Sequence, residues 1–368
     1  MKSFKYLVVA MTLMVFVGVQ SAFALTLNHS APTFSGTADD NDFNNEISLL
    51  WDEVIADLNG EIGGIPQKMP KLGSAFATAG TFSNHAATQR AYQGYDLFAV
   101  TVGTMAGGQL PSLDFSTYGD IGDDLKNGQD LEAGIGWQAW AVQVGLNSKF
   151  LLEGLYLGVK FGGLNLSQSV GDHSLIFEYI SFGALANYQI FKERSFTGML
   201  VWRGLSVGSG LLYQKNSTGF IYDAGDFTSS SFYNYGGQDI YINASPELAL
   251  TLDSHLVTIP LEVTTSVRLL YFLNLSVGLG ADINFGKSDL VASVKSDASA
   301  TNLPAGITQE TAGSISTSAG AKGANPKAFA AKAMANIGFG IGPVIVDFPL
   351  TYYFNNGFSI GLSAGFVW

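Results

Sequence analysis

Two stretches carry the G-x-S-x-G spacing that can raise a serine nucleophile on a sharp turn: Gly204-Leu-Ser206-Val-Gly208 and Gly361-Leu-Ser363-Ala-Gly365. That chemistry needs a helix directly after the strand. Both copies instead lie inside runs that alternate small and large residues, where the match arises by chance. The four histidines are His29, His85, His173 and His255. None has a His, Cys or carboxylate partner at metal-ligand spacing. His173 and His255 are the candidates for a lipase-like site on a wall, but each lies near a strand end and reads better as a solvated loop or interface side chain. Acidic clusters at Asp39-Asp40-Asn41-Asp42 and at Asp120, Asp123, Asp124, Asp130 and Glu132 do not place a glycine and a terminal glutamate where a calcium loop needs them. They read as solvated loop charge, with weak cation binding as the alternative. With no cysteine in the chain, thiolate metal sites, disulfides and cysteine nucleophiles are excluded. The expectation is a non-enzyme with no cofactor and no metal.

A different set of polar residues stands out by position. Lys160, Glu262, Arg268, Asp282, Lys332 and Asp347 fall on the small or polar face of segments whose other face is apolar, and Glu178 is placed with them. Mixed signs on one face suit paired charges that brace a narrow lumen, or less readily a permeation path.

The elements that carry these charges have period two. Leu273, Leu275, Val277, Leu279 and Ala281 oppose Asn274, Ser276, Gly278, Gly280 and Asp282. Leu155 to Phe161, Ile259 to Val267 and Phe358 to Trp368 follow the same rule. In the last, Phe358, Leu362, Phe366 and Trp368 share the apolar face and the chain ends on an aromatic. One large apolar face against one small or polar face is the pattern of a strand between lipid and lumen. Ser174 to Ile190 is apolar on both faces, so its register stays ambiguous.

The amino terminus reads as an export signal. Met1 to Lys5 is basic, Tyr6 to Val19 is apolar, and Ala22-Phe-Ala24 gives a cleavage site before Leu25. Beyond it no apolar run is long enough for a membrane helix. The mature chain has 16 basic and 30 acidic residues, net −14, which sets nucleic acid aside as a partner.

Residues 25–92 are polar and turn-rich. One helix is expected from Asn44 to Leu58, with Ile47, Leu50, Trp51, Val54, Ile55 and Leu58 as a packing stripe, Asn44 or Asn45 as its cap and Gly60 at its end. From about residue 93 to 368 the alternation predicts an all-β, antiparallel up-and-down transmembrane barrel of about 10–14 strands. The helical segment before it is a plug inside the barrel or a periplasmic piece. Long connections are expected at Gly107 to Glu132, Asn216 to Ser245 and Lys287 to Pro326, and Ser296 to Pro326 as a mobile loop or weak hairpin extension.

These strand repeats and the Phe358 to Trp368 end resemble bacterial outer-membrane β-barrels. That resemblance implies the outer membrane of a diderm bacterium as location, its lipids as surroundings, and recognition of the terminal aromatic by the barrel-assembly machinery. Gly73-Ser-Ala75-Phe76 resembles a step in the amino-terminal hatch of long-chain fatty acid transporter (FadL-like) barrels, which implies a plugged barrel. Three functions are carried forward. The first is passive transport of small, hydrophobic molecules past the amino-terminal segment. The second is a structural or surface-exposed barrel whose loops do the work. The third, a membrane hydrolase, rests only on the serines and histidines above.

Overall fold

The computed structural model describes residues 28–36, 40–62, 69–88, 95–110, 133–170, 173–197, 199–223, 227–228, 233–235 and 237–368. The export signal, Asp39 and the acidic run from Asp120 to Glu132 lie outside these residues.

Ten strands form the wall: β1 (Phe98–Gln109), β2 (Gly134–Asn147), β3 (Leu155–Val170), β4 (His173–Phe191), β5 (Leu200–Asp223), β6 (Gln238–Leu269), β7 (Leu273–Thr301), β8 (Phe329–Ile341), β9 (Val344–Tyr353) and β10 (Gly357–Val367). Each pairs antiparallel with the next, and β10 pairs with β1 from Gly357↔Gln109 to Val367↔Ala99. The ring is therefore closed, but β2 and β3 pair only from Val142↔Phe161 to Asn147↔Tyr156, so residues 134–141 and 162–170 carry no ladder to each other and the Trp140 N–H donates to the Tyr179 hydroxyl instead.

Alternation sorts the side chains as the sequence pattern demands. Val277 and Leu279 are 60% and 64% exposed on the outer face, whereas Ser276 and Asp282 on the opposite face of the same strand are 6% and 0% exposed. Ile360, Leu362 and Phe366 face out, and Ser359 and Ser363 face in. Aromatic residues cluster where the apolar belt ends: Trp368 stacks on Phe98, with ring centroids 5.6 Å apart, and Tyr213 packs against Phe182 at 4.7 Å. An apolar outer band edged by aromatics on a closed antiparallel ring is the architecture of an outer-membrane β-barrel. Among the described residues no helix is long and apolar enough to cross a membrane.

The two ends of the barrel differ. One end holds Phe98, Trp368 and tight connections such as Leu269 to Leu273 and Ile341 to Val344. Gly342 there adopts φ +59°, which a glycine takes without strain. At the other end β5, β6 and β7 run far past their neighbours. The long connections expected at Asn216 to Ser245 and Lys287 to Pro326 are largely strand, and Ser296 to Pro326 is the hairpin extension and not the mobile loop. β5 continues to Asp223, β6 begins at Gln238, β7 reaches Thr301, and a further strand, Gly313–Ala324, pairs with β7. In these strands buried residues such as Ala298, Ile315 and Thr317 alternate with exposed ones, so one face is covered and the other open.

The amino-terminal segment joins this extension. Helix α1 (Asp40–Ile62) starts four residues before the expected cap and runs through Gly60. Asn44 does not cap it. Its side chain instead bonds the backbone N–H and C=O of Phe34, at 2.7 and 2.8 Å. Short strands Asn28–Ser30 and Thr33–Ser35 pair with Ser314–Ser316 and Thr308–Thr311. Phe34, Phe43, Ile47, Leu50, Trp51 and Ile55 then close a core with Ile240, Ile242, Ala298 and Ile315. The packing stripe thus serves a head at the long-strand end and not the inner wall of the barrel. The side chains of Val54 and Leu58 lie outside the described set.

Candidate functional site

The lumen is occupied by a second helix that the sequence reading missed, α2 (Met69–Ser83). Its residues are small: Gly73, Ala75, Ala77, Ala79 and Gly80 leave little apolar stripe to detect. Pro70 fits the first turn, where its missing N–H costs nothing. The helix enters at the long-strand end, where the Ser74 hydroxyl donates to the Asn325 carbonyl (2.7 Å) and the Thr78 hydroxyl oxygen accepts from the Lys327 N–H (3.0 Å). Deeper in, Phe82 stacks on Tyr353 with centroids 3.7 Å apart. Thr78, Thr81, Phe82, Ser83, Asn84 and Ala86 are fully buried.

Wall glycines make this fit possible. A Cβ on Gly107 would lie 2.5 Å from the Ala79 carbonyl oxygen and 2.8 Å from the Ser83 nitrogen. Gly134 and Gly136 approach the backbone of Ala75 and Ala79 more closely still. Helix backbone therefore lies directly on strand backbone.

Below α2 the chain is tied to the wall by polar contacts. Lys160 Nζ donates to the Asn84 carbonyl (2.6 Å) and to Gln138 Oε1 (2.8 Å). The Ala86 N–H donates to the same Gln138 oxygen, and the Thr101 hydroxyl donates to the Ala87 carbonyl. His85 Nε2 lies 3.0 Å from Asp282 Oδ2, which also accepts from the Tyr353 hydroxyl at 3.1 Å. Lys332 Nζ donates to Asp282 Oδ1 and Glu262 Oε1, each at 2.6 Å. His85, Asp282 and Lys332 are essentially fully buried. The segment leaves at the tight-turn end, where the Tyr95 carbonyl accepts from Asn147 and the Leu97 N–H donates to Trp368. The chain thus passes from one mouth of the barrel to the other.

His85, Glu262 and Asp282 also offer three ligand atoms within 4.8 Å of one another. The Lys332 ammonium already bridges the two carboxylates, so a metal ion would have to displace it. The arrangement is best described as a latch: charge-assisted bonds that fix a plug to the wall.

A family model described as Lsa36-like matches residues 27–368. The chain belongs to the Lsa36-like family. No curated protein matches it. Among solved structures, the translocator domain of autotransporter NalP from Neisseria meningitidis is similar at 9% identity, over 74% of this chain and 89% of that one, with a TM-score of 0.29. The Ralstonia pickettii toluene transporter TbuX is similar at 9% identity, over 73% and 88%, with a TM-score of 0.23. A Pseudomonas aeruginosa FadL homologue is similar at 8% identity, over 82% and 98%, also with a TM-score of 0.23. Likenesses this remote concern barrel architecture and carry no argument about what passes through it.

In this Lsa36-like chain the charges read from alternation have separate fates. Lys160, Glu262, Asp282 and Lys332 converge on the plug. Asp347 faces inward and accepts from Asn336 (2.7 Å), and Arg268 shares the inner face near the tight turns. Glu178 does not join them. Its neighbours Phe177 and Tyr179 are the buried lumen side chains, while Ile176, Ile180 and Phe182 face out, so Glu178 lies on the outer face. His85 is no solvated histidine; only the fold brings it beside Asp282, 197 residues away. His255 bonds the Tyr213 hydroxyl on the outer face, and His173 stacks on Tyr222 seven residues farther along the long strands. Ser206 and Ser363 sit within strands β5 and β10. At a tight turn Lys192 bonds Glu153 and holds its carboxyl below the usual range.

Proposed function

We propose that the chain is a sealed outer-membrane anchor that displays a head at the cell surface, where the head makes the functional contacts. One observation carries this reading: the amino-terminal segment enters the lumen from the long-strand end and leaves at the tight-turn end. In outer-membrane barrels tight turns face the periplasm and long connections face outward. Residues 28–62 then lie outside the cell. From His255 to Ile240, β6 extends ~50 Å at about 3.3 Å per residue, so the head stands well clear of the belt. The latch and the glycine-cushioned helix close the lumen beneath it.

Because the chain has no cysteine, single cysteines report sidedness cleanly. Leu49 on the head and Phe150 in a tight turn are 63% and 74% exposed. Leu49→Cys should react with an impermeant maleimide on intact cells, and Phe150→Cys only after the outer membrane is opened. The reverse pattern would refute the display reading.

A second reading is passive passage of small molecules, hydrophobic ones included, when the plug shifts. The small-residue surface of α2 favours it, since such a helix presents few side chains that would block sliding. Deleting residues 28–88 should then raise single-channel conductance and probe uptake. An intact barrel with unchanged permeability would remove this reading.

A further inference from the structure

The head has no sheet of its own. Among the described residues its two short strands pair only with the wall's long-strand extension: Asn28–Ser30 with Ser314–Ser316, and Thr33–Ser35 with Thr308–Thr311. Half of its core comes from the same place. Phe34, Phe43, Ile47, Leu50, Trp51 and Ile55 belong to the head, and Ile240, Ile242, Ala298 and Ile315 belong to the strands. Ile47 and Trp51 are fully buried in this shared core. A helix in a protein draws most of its stability from packing of its apolar face, so α1 without that cover is marginal in water. Residues 28–62 therefore acquire a fold only where the long strands stand.

The lumen below is one helix wide. On one side, a Cβ on Gly107 of β1 would lie 2.5 Å from the backbone of α2, and a Cβ on Gly134 or Gly136 of β2 would lie 2.3 Å from it. On other sides, a Cβ on Gly80 would meet Leu256 of β6 at 2.6 Å, and one on Gly73 would meet Ala321 and Ala324 at 3.0 Å. Such a passage admits a single chain, helical or extended, and not a helix already packed on strands. Connectivity adds a direction. The amino end of the segment lies beyond the long-strand mouth, while its carboxyl end is tied at the tight-turn mouth, where the Leu97 N–H donates to Trp368. The export signal expected at Met1 to Ala24 delivers residue 25 onward on the periplasmic side. Residues 28–62 must then cross the membrane to reach the head, and the lumen holds the rest of the same segment. With no cysteine in the chain, no disulfide can staple the segment before it crosses.

We infer that the barrel is the conduit for its own amino-terminal segment: residues 28–62 cross the lumen unfolded, amino end first, and fold on the far side against Ile240, Ile242, Ala298 and Ile315. This rests on the display reading given above. The amino end leads because the carboxyl end is joined to β1 and a one-chain passage cannot take a hairpin. The far-side strands act as a template. Burial of Phe43, Ile47, Leu50, Trp51 and Ile55 is available only there, so the hydrophobic effect opposes passage back. α2 and the latch then fill the passage behind the head, and one event both exports it and seals the lumen. By the same geometry an unfolded chain joined ahead of Leu25 leaves with the head, and a folded one does not.

The test uses the full chain in a diderm host, with a small disulfide-dependent domain inserted between Ala24 and Leu25. The periplasm is oxidising, so the domain closes there before passage. A version with its cysteines replaced by serine has the same length and stays unfolded, since such domains often cannot fold without their bridges. Both versions carry a linear epitope, read by antibody on intact cells, and folded barrel is counted by heat-modifiable mobility. The serine version should label as fully on intact cells as after the outer membrane is opened. The cysteine version should lose that surface signal, and growth in reductant should restore it. The cysteine domain placed instead after Phe150, in a tight turn, should leave heat-modifiable mobility unchanged. Loss of mobility there as well would trace the block to the domain and not to the lumen, and the inference would fall. Equal surface labelling of the cysteine and serine versions would overturn unfolded passage. A serine version confined to the periplasm, in cells whose Leu49→Cys head reacts outside, would overturn passage with the amino end leading. Leu49→Cys unreactive on intact cells in the chain without an insert would instead refute the display reading itself.

Discussion

Gly107→Ala adds one methyl group, and the sign of its effect should depend on whether the plug is present. The new Cβ would lie 2.5 Å from the Ala79 oxygen, 2.8 Å from the Ser83 nitrogen and 2.9 Å from the Phe82 Cβ. Ordinary contact starts at 3.4 Å, so α2 must retreat by 0.9 Å, the difference between 3.4 and 2.5. It has no slack, because Phe82 is already stacked on Tyr353 at 3.7 Å and Gly80 meets Leu256 on another side. Overpacking of this kind costs about 1–3 kcal/mol. In a chain lacking residues 28–88 the clash disappears. What remains is the ordinary preference of a strand for Ala over Gly, about 0.5–1 kcal/mol in the stabilising direction. Urea unfolding of vesicle-inserted barrel, followed by heat-modifiable mobility, would report both values. A destabilisation of equal size in the two backgrounds would mean that Gly107 is needed by the wall itself, and the account of the plug would fail.

Lys332→Met should destabilise the plugged barrel by about 3–5 kcal/mol, since two carboxylates lose their shared cation. Adding Glu262→Gln and Asp282→Asn should recover most of the loss in the same unfolding assay. Arg at Val277 should cost about 2–4 kcal/mol if that residue faces mid-bilayer lipid, while Arg at Ser276 meets the lumen and is judged by fit. Equal tolerance at the two positions would put the register off by one. Trp51→Ala should remove about 3–5 kcal/mol from the head core, giving protease cleavage within residues 40–62 while the barrel keeps its heat-modifiable mobility. Simultaneous loss of the barrel would mean that head and wall fold as one unit.

The wall was legible because lipid and lumen impose opposite demands on neighbouring residues, and period two records that demand directly. It placed Lys160, Glu262, Asp282, Lys332 and Asp347 on the inner face from single strands alone. Glu178 failed for the same reason. Around it Phe177 and Tyr179 fill the lumen while Ile176 and Ile180 face out, so both faces are apolar and parity has nothing to grip. The latch was half legible. Its wall partners follow from alternation, but His85 lies in a segment with no period, and its approach to Asp282 is a property of the closed fold. The stripe of α1 was read correctly as packing, yet a stripe says only that something covers it. Here the cover is Ile240, Ile242 and Ile315, on strands that run past the barrel and that nothing in the stripe itself points to.

The plug shows why a tightly packed helix can be the hardest element to see. Amphipathic helices announce themselves by large residues on one face. A helix confined by strands on several sides has little room for such residues, so apart from Leu72, Phe76 and Phe82 the body of α2 is Gly, Ala, Ser and Thr and its periodicity fades. The matching signal was displaced to the wall, as Gly107, Gly134 and Gly136, where it merged with the small residues any lumen face can carry. What separates the two kinds of glycine is contact: a Cβ at these three positions meets helix backbone, which cannot rotate away, whereas at Gly108 it meets the flexible ring of Phe358. The steric constraint lies between two segments with no common pattern, and substitution at one has to be read against the presence of the other.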